Sequence, residues 1–211
     1  MELPAVRDLQ TRLEAVGAPY EVLPHPRTGS AIAEAVALGV PACEVAKTVV
    51  LVASHGWVRA VVPADDRVSV SKVQRVLQDD SVRLARADEL RTHYPEYELG
   101  AVPPLGGTRS ELAILDTSLV ARATVVIEAG THDASLRLSP RDLVHVSGAW
   151  IADIRAEVWE PMDRGAPVVE TRAHVGRRTD GTARPGRDDH LTRRPTAPQP
   201  RAPRPKGGEK P

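Results

Sequence analysis

Residues 41–63, PACEVAKTVVLVASHGWVRAVVP, decide how the rest of the chain is read. An apolar run, Thr48-Val49-Val50-Leu51-Val52-Ala53, is broken at Ser54-His55-Gly56. A second run, Trp57-Val58-Arg59-Ala60-Val61-Val62, stops at Pro63. Two β-branched runs joined by a Gly-containing tripeptide predict a β-hairpin. Both parities of the first run are apolar, so that strand is expected to be covered on both faces. One cation, Lys47, stands directly ahead of it. Two readings of Lys47 stand open. It is a strand-end residue with its stem on apolar surface and its amine in water, or a positive charge held firmly enough to meet an anionic substrate.

Working toward the N-terminus, Ser30 can cap a helix over residues 31–38, which Gly39 and Pro41 close. Before it lie a loop at 24–29 and a short strand at 20–23. Leu3, Val6, Leu9, Leu13 and Val16 recur at helical spacing, and Gly17 and Pro19 end that pattern. Toward the C-terminus, helical faces are expected at 68–77 and 85–93. A loop rich in Gly and Pro follows at 100–107, and then strands at 112–116, 123–128 and 135–138. The turn between the last two is placed at 129–133. Ser139 and Pro140 open another helix, and residues 150–153 form a last edge strand. Early helix–strand alternation with late hairpins predicts an α/β fold, a mixed sheet with helices packed on it.

Charge divides the chain. Residues 1–160 hold 16 Lys/Arg against 22 Asp/Glu, whereas 161–211 hold 12 against 6. The latter stretch also carries nine prolines, six glycines and few large aliphatic residues. It cannot bury enough apolar surface to offset about 1–2 kcal/mol of backbone entropy per ordered residue. The expectation is a folded domain at 1–160 and a disordered basic tail at 161–211. One cysteine, Cys43, excludes an internal disulfide, and no uncharged run approaches the ~18 residues of a membrane span. A cytoplasmic protein with no membrane association is expected. The seven histidines have no ligand-like spacing, and there is no Walker A sequence and no GxGxxG. Neither a metal nor a cofactor is expected.

What remains for chemistry is the loop at 100–107. Pro103 and Pro104 stiffen it, while Gly100 permits close backbone approach. Such a loop can aim the free amides of Gly100 and Ala101 at a developing oxyanion; the plainer reading is a tight helix-to-strand connection.

In sequence order, Thr28, residues 30–35 (SAIAEA), Ala46-Lys47-Thr48-Val49-Val50, Val62-Pro63, Gly100-Ala101-Val102-Pro103-Pro104, Gly130, Leu138 and Asp142-Leu143 form a series of blocks. This series resembles the YbaK/ProX family of free-standing aminoacyl-tRNA deacylases, relatives of the editing domain inserted in bacterial prolyl-tRNA synthetases. The likeness spans about residues 20–155. It implies a partly barrel-like mixed sheet with surrounding helices, and hydrolysis of the ester of mischarged tRNA, Ala- or Cys-tRNA for proline in the usual members. It implies no bound cofactor, and as partners the aminoacylated tRNA end and a synthetase such as prolyl-tRNA synthetase. Lys47 matches the functional lysine, and Gly100 and Pro104 the glycine and proline of a GxxxP loop. Tyr20, Thr28, Pro103, His132 and Ser135 fall at or near positions expected to bind substrate. Ser135 stands where cysteine-clearing members have an aspartate, and this leaves the amino acid removed open. So does a rival reading, a non-catalytic small-ligand or RNA-binding module on the same fold.

Overall fold

The computed structural model describes residues 4–106 and 111–157; the expected tail at 161–211 lies outside them. The predicted hairpin is the centre of the sheet. Its strands are β2 (Val45–Ala53) and β3 (Gly56–Pro63), antiparallel in a register that runs from Ala46↔Pro63 to Ala53↔Gly56. The other strands are β1 (Tyr20–Pro24), β4 (Arg83–Leu84), β5 (Leu112–Asp116), β6 (Val125–Thr131), β7 (Ala134–Leu138) and β8 (Trp150–Ala152). They form one mixed sheet in the order β1-β7-β6-β2-β3-β5-β8, with β4 added on β2. The last edge strand, β8, lies parallel to β5.

The helices are α1 (Pro4–Ala15), α2 (Ala31–Leu38), α3 (Val70–Leu77), α4 (Ala87–His93), α5 (Thr117–Val120) and α6 (Pro140–Ser147). Ser30, Ser69 and Ser139 each accept a backbone N–H at a helix start, and Gly39 and Gly148 end α2 and α6 in the left-handed conformation. Alternation along the strands sorts the core into two layers. Leu9 and Leu13 of α1 and Leu143 of α6 pack on Ala46, Val61, Ile127 and Leu136. On the opposite face Ala35 of α2 packs with Val45 and Val126, and Val73 of α3 with Leu51, Ala60 and Val62. Both faces of β2 are therefore covered, as its uniform apolar run predicts.

Some elements differ from the sequence reading, most of them by a residue or two at a boundary. The helix expected from residue 68 starts at Val70, because Ser69 is spent as its cap. The one expected from 85 starts at Ala87, because residues 83–84 extend as β4 and Ala85 N–H donates to Val50 O at 3.0 Å. The short helix α5 was not foreseen; Asp116 caps it. Strand β6 runs on to Thr131 rather than ending at Glu128. The reason is Gly130, whose φ of 92° lets the strand bulge between Glu128 and Thr131 and then resume pairing at Thr131↔Ala134.

Gly130 is also closely surrounded. A Cβ there would lie 2.7 Å from both Ala5 Cβ and Tyr97 Cδ1. Gly130→Ala therefore combines a left-handed backbone strain with overlap against two buried groups. It is expected to lower stability by about 2–4 kcal/mol, measured by denaturant unfolding. Gly148→Ala, with open space at its Cβ, is expected to cost no more than about 1–2 kcal/mol.

Candidate active site

The position of the site follows from where β2 and β6 part. They pair in parallel only at Val45↔Val126 and Ala46↔Ile127. Beyond that, β2 is bonded instead to β4, at Leu51↔Leu84 and Val52↔Arg83. On β6, Gly130 O accepts the N–H of Glu98 at 3.0 Å. Residues 47–49 of β2 and 128–130 of β6 therefore have no ladder between them. The segment from Glu98 to Val102 is bonded to Gly130 through Glu98 and shares a cluster with Val50 through Val102.

Lys47 is the first residue past the split. It shares the α2 face with Val45 and is half-buried, and its Nζ donates to Ala64 O at 2.9 Å. Burial lowers the pKa of its ammonium, while the charges of Asp66 and Asp65 work the other way. The amine is thus held by a backbone carbonyl rather than left wholly in water.

Gly100 is exposed, with φ of 96°, and a Cβ on it would lie 3.5 Å from the ring of His132. That ring is fixed by Nε2, 3.1 Å from Leu99 O, while the His132 backbone N–H donates to Glu98 Oε2 at 2.9 Å. Arg27 completes the anchor, its guanidinium 2.9 Å from Glu98 and its charge keeping that carboxyl below the usual range. Thr28 N–H donates to His132 O at 2.9 Å. Thr28, Gly100 and His132 are thus brought together by the β6–β7 turn.

The two amides expected at Gly100 and Ala101 are reduced to one. Ala101 is buried and its N–H closes the turn on Glu98 O at 2.9 Å. Gly100 N–H donates to no group among the described residues. Pro103 and Pro104 are buried as well. Pro103 O accepts from Arg59 Nη1 at 3.0 Å, on the face opposite Lys47, and so fastens the loop there. Tyr20 lies on that opposite face too, paired with Leu138 and donating to Glu14 Oε1 at 2.7 Å.

Ser135 is fully buried, directly opposite Glu128 in the β6–β7 register and opposite Leu23 in β1. Its hydroxyl donates to Glu34 Oε1 of α2 and lies 3.0 Å from His25 Nε2. His25 Nδ1 faces Pro26 O at 2.9 Å and so carries its proton. Glu128 and Glu34 are both buried. Burial, and secondarily the charge of Glu34, pushes the Glu128 carboxyl up to about 8. Burial raises Glu34 as well, against the hydrogen bond from Ser135. His132 Nδ1 is 3.8 Å from Glu128 Oε1. No hydrogen bond or ion pair joins Lys47 to the 100–104 turn among the described residues. The contacts run from Gly100 to His132 and on to Glu128; Lys47 stands apart from them, bonded to Ala64 O.

The family model of the aminoacyl-tRNA editing domain matches residues 25–146, which contain this whole assembly. The chain belongs to the aminoacyl-tRNA editing domain family. Solved structures agree. A protein assigned as a trans-editing enzyme for prolyl-tRNA synthetase is 28% identical, with a TM-score of 0.65 over 74% of this chain and 100% of that one. A hypothetical protein is 29% identical, with a TM-score of 0.66 over 71% and 99% of the two chains. A scaffold used for computational epitope grafting is 25% identical, with a TM-score of 0.65 over 74% and 99%. No curated protein sequence matches.

The residues of this editing domain that sequence reasoning missed are His25, Glu34, Glu98 and Glu128. Two carried a signal. Glu34 is the one charged residue in AIAEAVAL, and Glu128 the one in VVIEAGT. A lone carboxyl in an otherwise apolar element is either exposed by geometry or held for a purpose. Among the described residues no three His, Cys, Asp or Glu are disposed to hold a metal ion. None of the described helices is long and apolar enough to cross a membrane. A cavity of about 460 Å³ lies at the far end of the hairpin, walled by Trp57, His93 and Trp150.

Proposed function

We propose that this editing domain hydrolyses the ester bond of mischarged aminoacyl-tRNA. Proline tRNA carrying alanine or cysteine is the expected substrate. The family membership and the 28% identical trans-editing neighbour support the reading. The observation that carries it is the Gly100 amide, which donates to no group among the described residues and lies beside His132, in the same editing domain that holds the half-buried ammonium of Lys47.

An aminoacyl ester is already activated, so positioning and charge stabilisation can supply much of the rate. Water adds to the ester carbonyl, and the negative charge that develops on its oxygen is received by Gly100 N–H. The C–O bond to the ribose then breaks, and the ribose oxygen leaves with a proton taken from the attacking water. Lys47 holds the anionic end of the tRNA, and His132 and Ser135 limit the side chain that fits. Editing of this kind answers a physical limit, since one methylene gives a synthetase pocket only about 1–3 kcal/mol of discrimination. A synthetase such as prolyl-tRNA synthetase is the partner from which the substrate would be received.

A panel of tRNA charged with Ala, Cys, Ser or Pro tests this. Release of Ala or Cys with sparing of Pro-tRNA is the expected result, and inertness toward every member would overturn it. One observation favours the rival reading of a binding module, namely that Ala101 N–H is consumed within the turn and only one donor is left. That reading predicts retention of aminoacyl-tRNA on the protein with no release.

A further inference from the structure

The deacylase reading leaves two buried carboxyls without a task. Glu128 is 6% exposed and makes no hydrogen bond among the described residues. His132 Nδ1 lies 3.8 Å from its Oε1. Glu34 is 1% exposed; Ser135 occupies Oε1, while Oε2 is buried with no partner. The charge of Glu34 reaches Glu128 and, after burial, is the second cause that raises its pKa. Buried polar groups without partners are costly and rarely kept without a use. Ser135 sits between them, opposite Glu128 in the sheet and bonded to Glu34.

Acceptors left open in this way fit a donor that carries positive charge. Lys47, on the same face of the sheet, is turned to Ala64 O and lies in the field of Asp65 and Asp66. The two acids with His25 and His132 do not form a metal site. A primary ammonium does fit, having three donors and no acceptor. An aminoacyl ester brings one within two bonds of its carbonyl, and Gly100, where the carbonyl is placed above, touches the same His132 ring that faces Glu128.

We propose that Glu128 and Glu34 receive the α-ammonium of the aminoacyl group, so that the site accepts esters with a free amino group and rejects those with a blocked one. The inference rests on the deacylase reading for its substrate, and it concerns which acyl groups qualify rather than which side chain. Peptidyl and N-acylated tRNA would be spared, because a neutral amide nitrogen offers one donor and no charge to a pocket built from acids.

The test compares Ala-tRNA with N-acetyl-Ala-tRNA in wild type, Glu128→Gln and Glu34→Gln, the variants first shown to be folded by thermal unfolding. Wild type is expected to favour the free amine by about 10- to 100-fold in kcat/KM, the range of a hydrogen bond to a charged group. Glu128→Gln should bring the ratio below about 5-fold, through KM for the free amine. A wild type indifferent to acetylation, or a Glu128→Gln protein that keeps the full preference, would overturn the proposal. A second measurement does not depend on turnover: binding of alanine linked by an amide to adenosine, with and without an N-acetyl group. If wild type is inert toward every aminoacyl-tRNA, the hydrolase reading falls while tighter binding of the free amine still supports the ammonium pocket. Equal binding of the two analogues overturns it.

Discussion

Lys47→Met is expected to lower kcat/KM for deacylation by about 10²–10³-fold, the loss found when one well-placed charged donor is taken from a reacting site. The same variant should unfold at a temperature no lower than the wild type. The ammonium is half-buried with a single carbonyl partner, and burial holds its pKa below the ordinary lysine value. A base whose pKa falls on folding opposes the folded state below that lowered pKa, where it is fully charged. The penalty fades only as pH rises through it. At neutral pH the cation therefore costs stability, and an apolar stem of the same length removes the cost. Activity assays beside thermal unfolding at pH 7 check both halves. An inactive protein that also melts early would show a structural lysine, and full activity would remove Lys47 from the chemistry.

Arg59→Met has the largest expected effect on the fold, a loss of about 3–5 kcal/mol, because it breaks a buried ion pair from one side. Arg59 and Glu111 are 3% and 6% exposed and 3.0 Å apart. Glu111 also accepts from Tyr94 OH and lies 2.5 Å from His93 Nε2. Burial alone would raise the carboxyl, but Tyr94, His93 and Arg59 together hold it below the usual range. Arg59 further donates to Pro103 O and Gly106 O, at 3.0 and 3.1 Å, and lies over the Tyr94 ring. Methionine would leave Glu111 charged without its cation and two carbonyls without donors. Urea unfolding should show the loss. Arg59→Met with Glu111→Gln should recover a part of it, since the stranded charge is then gone. The loop that ends at these carbonyls begins at Gly100, so the single variant should lose deacylation as well.

Much of this fold was legible because local rules and tertiary packing agree. The doubly apolar β2, the serine-capped α2 and α6 and the glycine ends are decided within a few residues of sequence. The β6 boundary was missed because Gly130 reads as a turn residue and acts here as a bulge. The strand β4 was missed because residues 83–84 have no pattern of their own and owe their pairing to the edge that β6 vacates. The candidate site was half legible. Lys47 and Gly100 stood out by type and context, and the resemblance pointed to His132 and Ser135. The partners Glu34, Glu98 and Glu128 are defined by burial and register, which no spacing reveals. The pair of free amides failed for a similar reason: whether Ala101 N–H is open depends on where the Glu98 carbonyl turns.

The register of β1 against β7 has a kinetic consequence. It joins Tyr20 to Leu138 and Leu23 to Ser135, and it is this pairing that sets His25 beside a serine 110 residues further along. Closing so long a loop is entropically slow compared with zipping up the central hairpin, whose ends are adjacent. The order of assembly should therefore run outward from β2 and β3, with the edge made by β1 joining late. The acidic pocket would be among the last features to form, so a nascent or partly folded chain has no such pocket with which to engage tRNA.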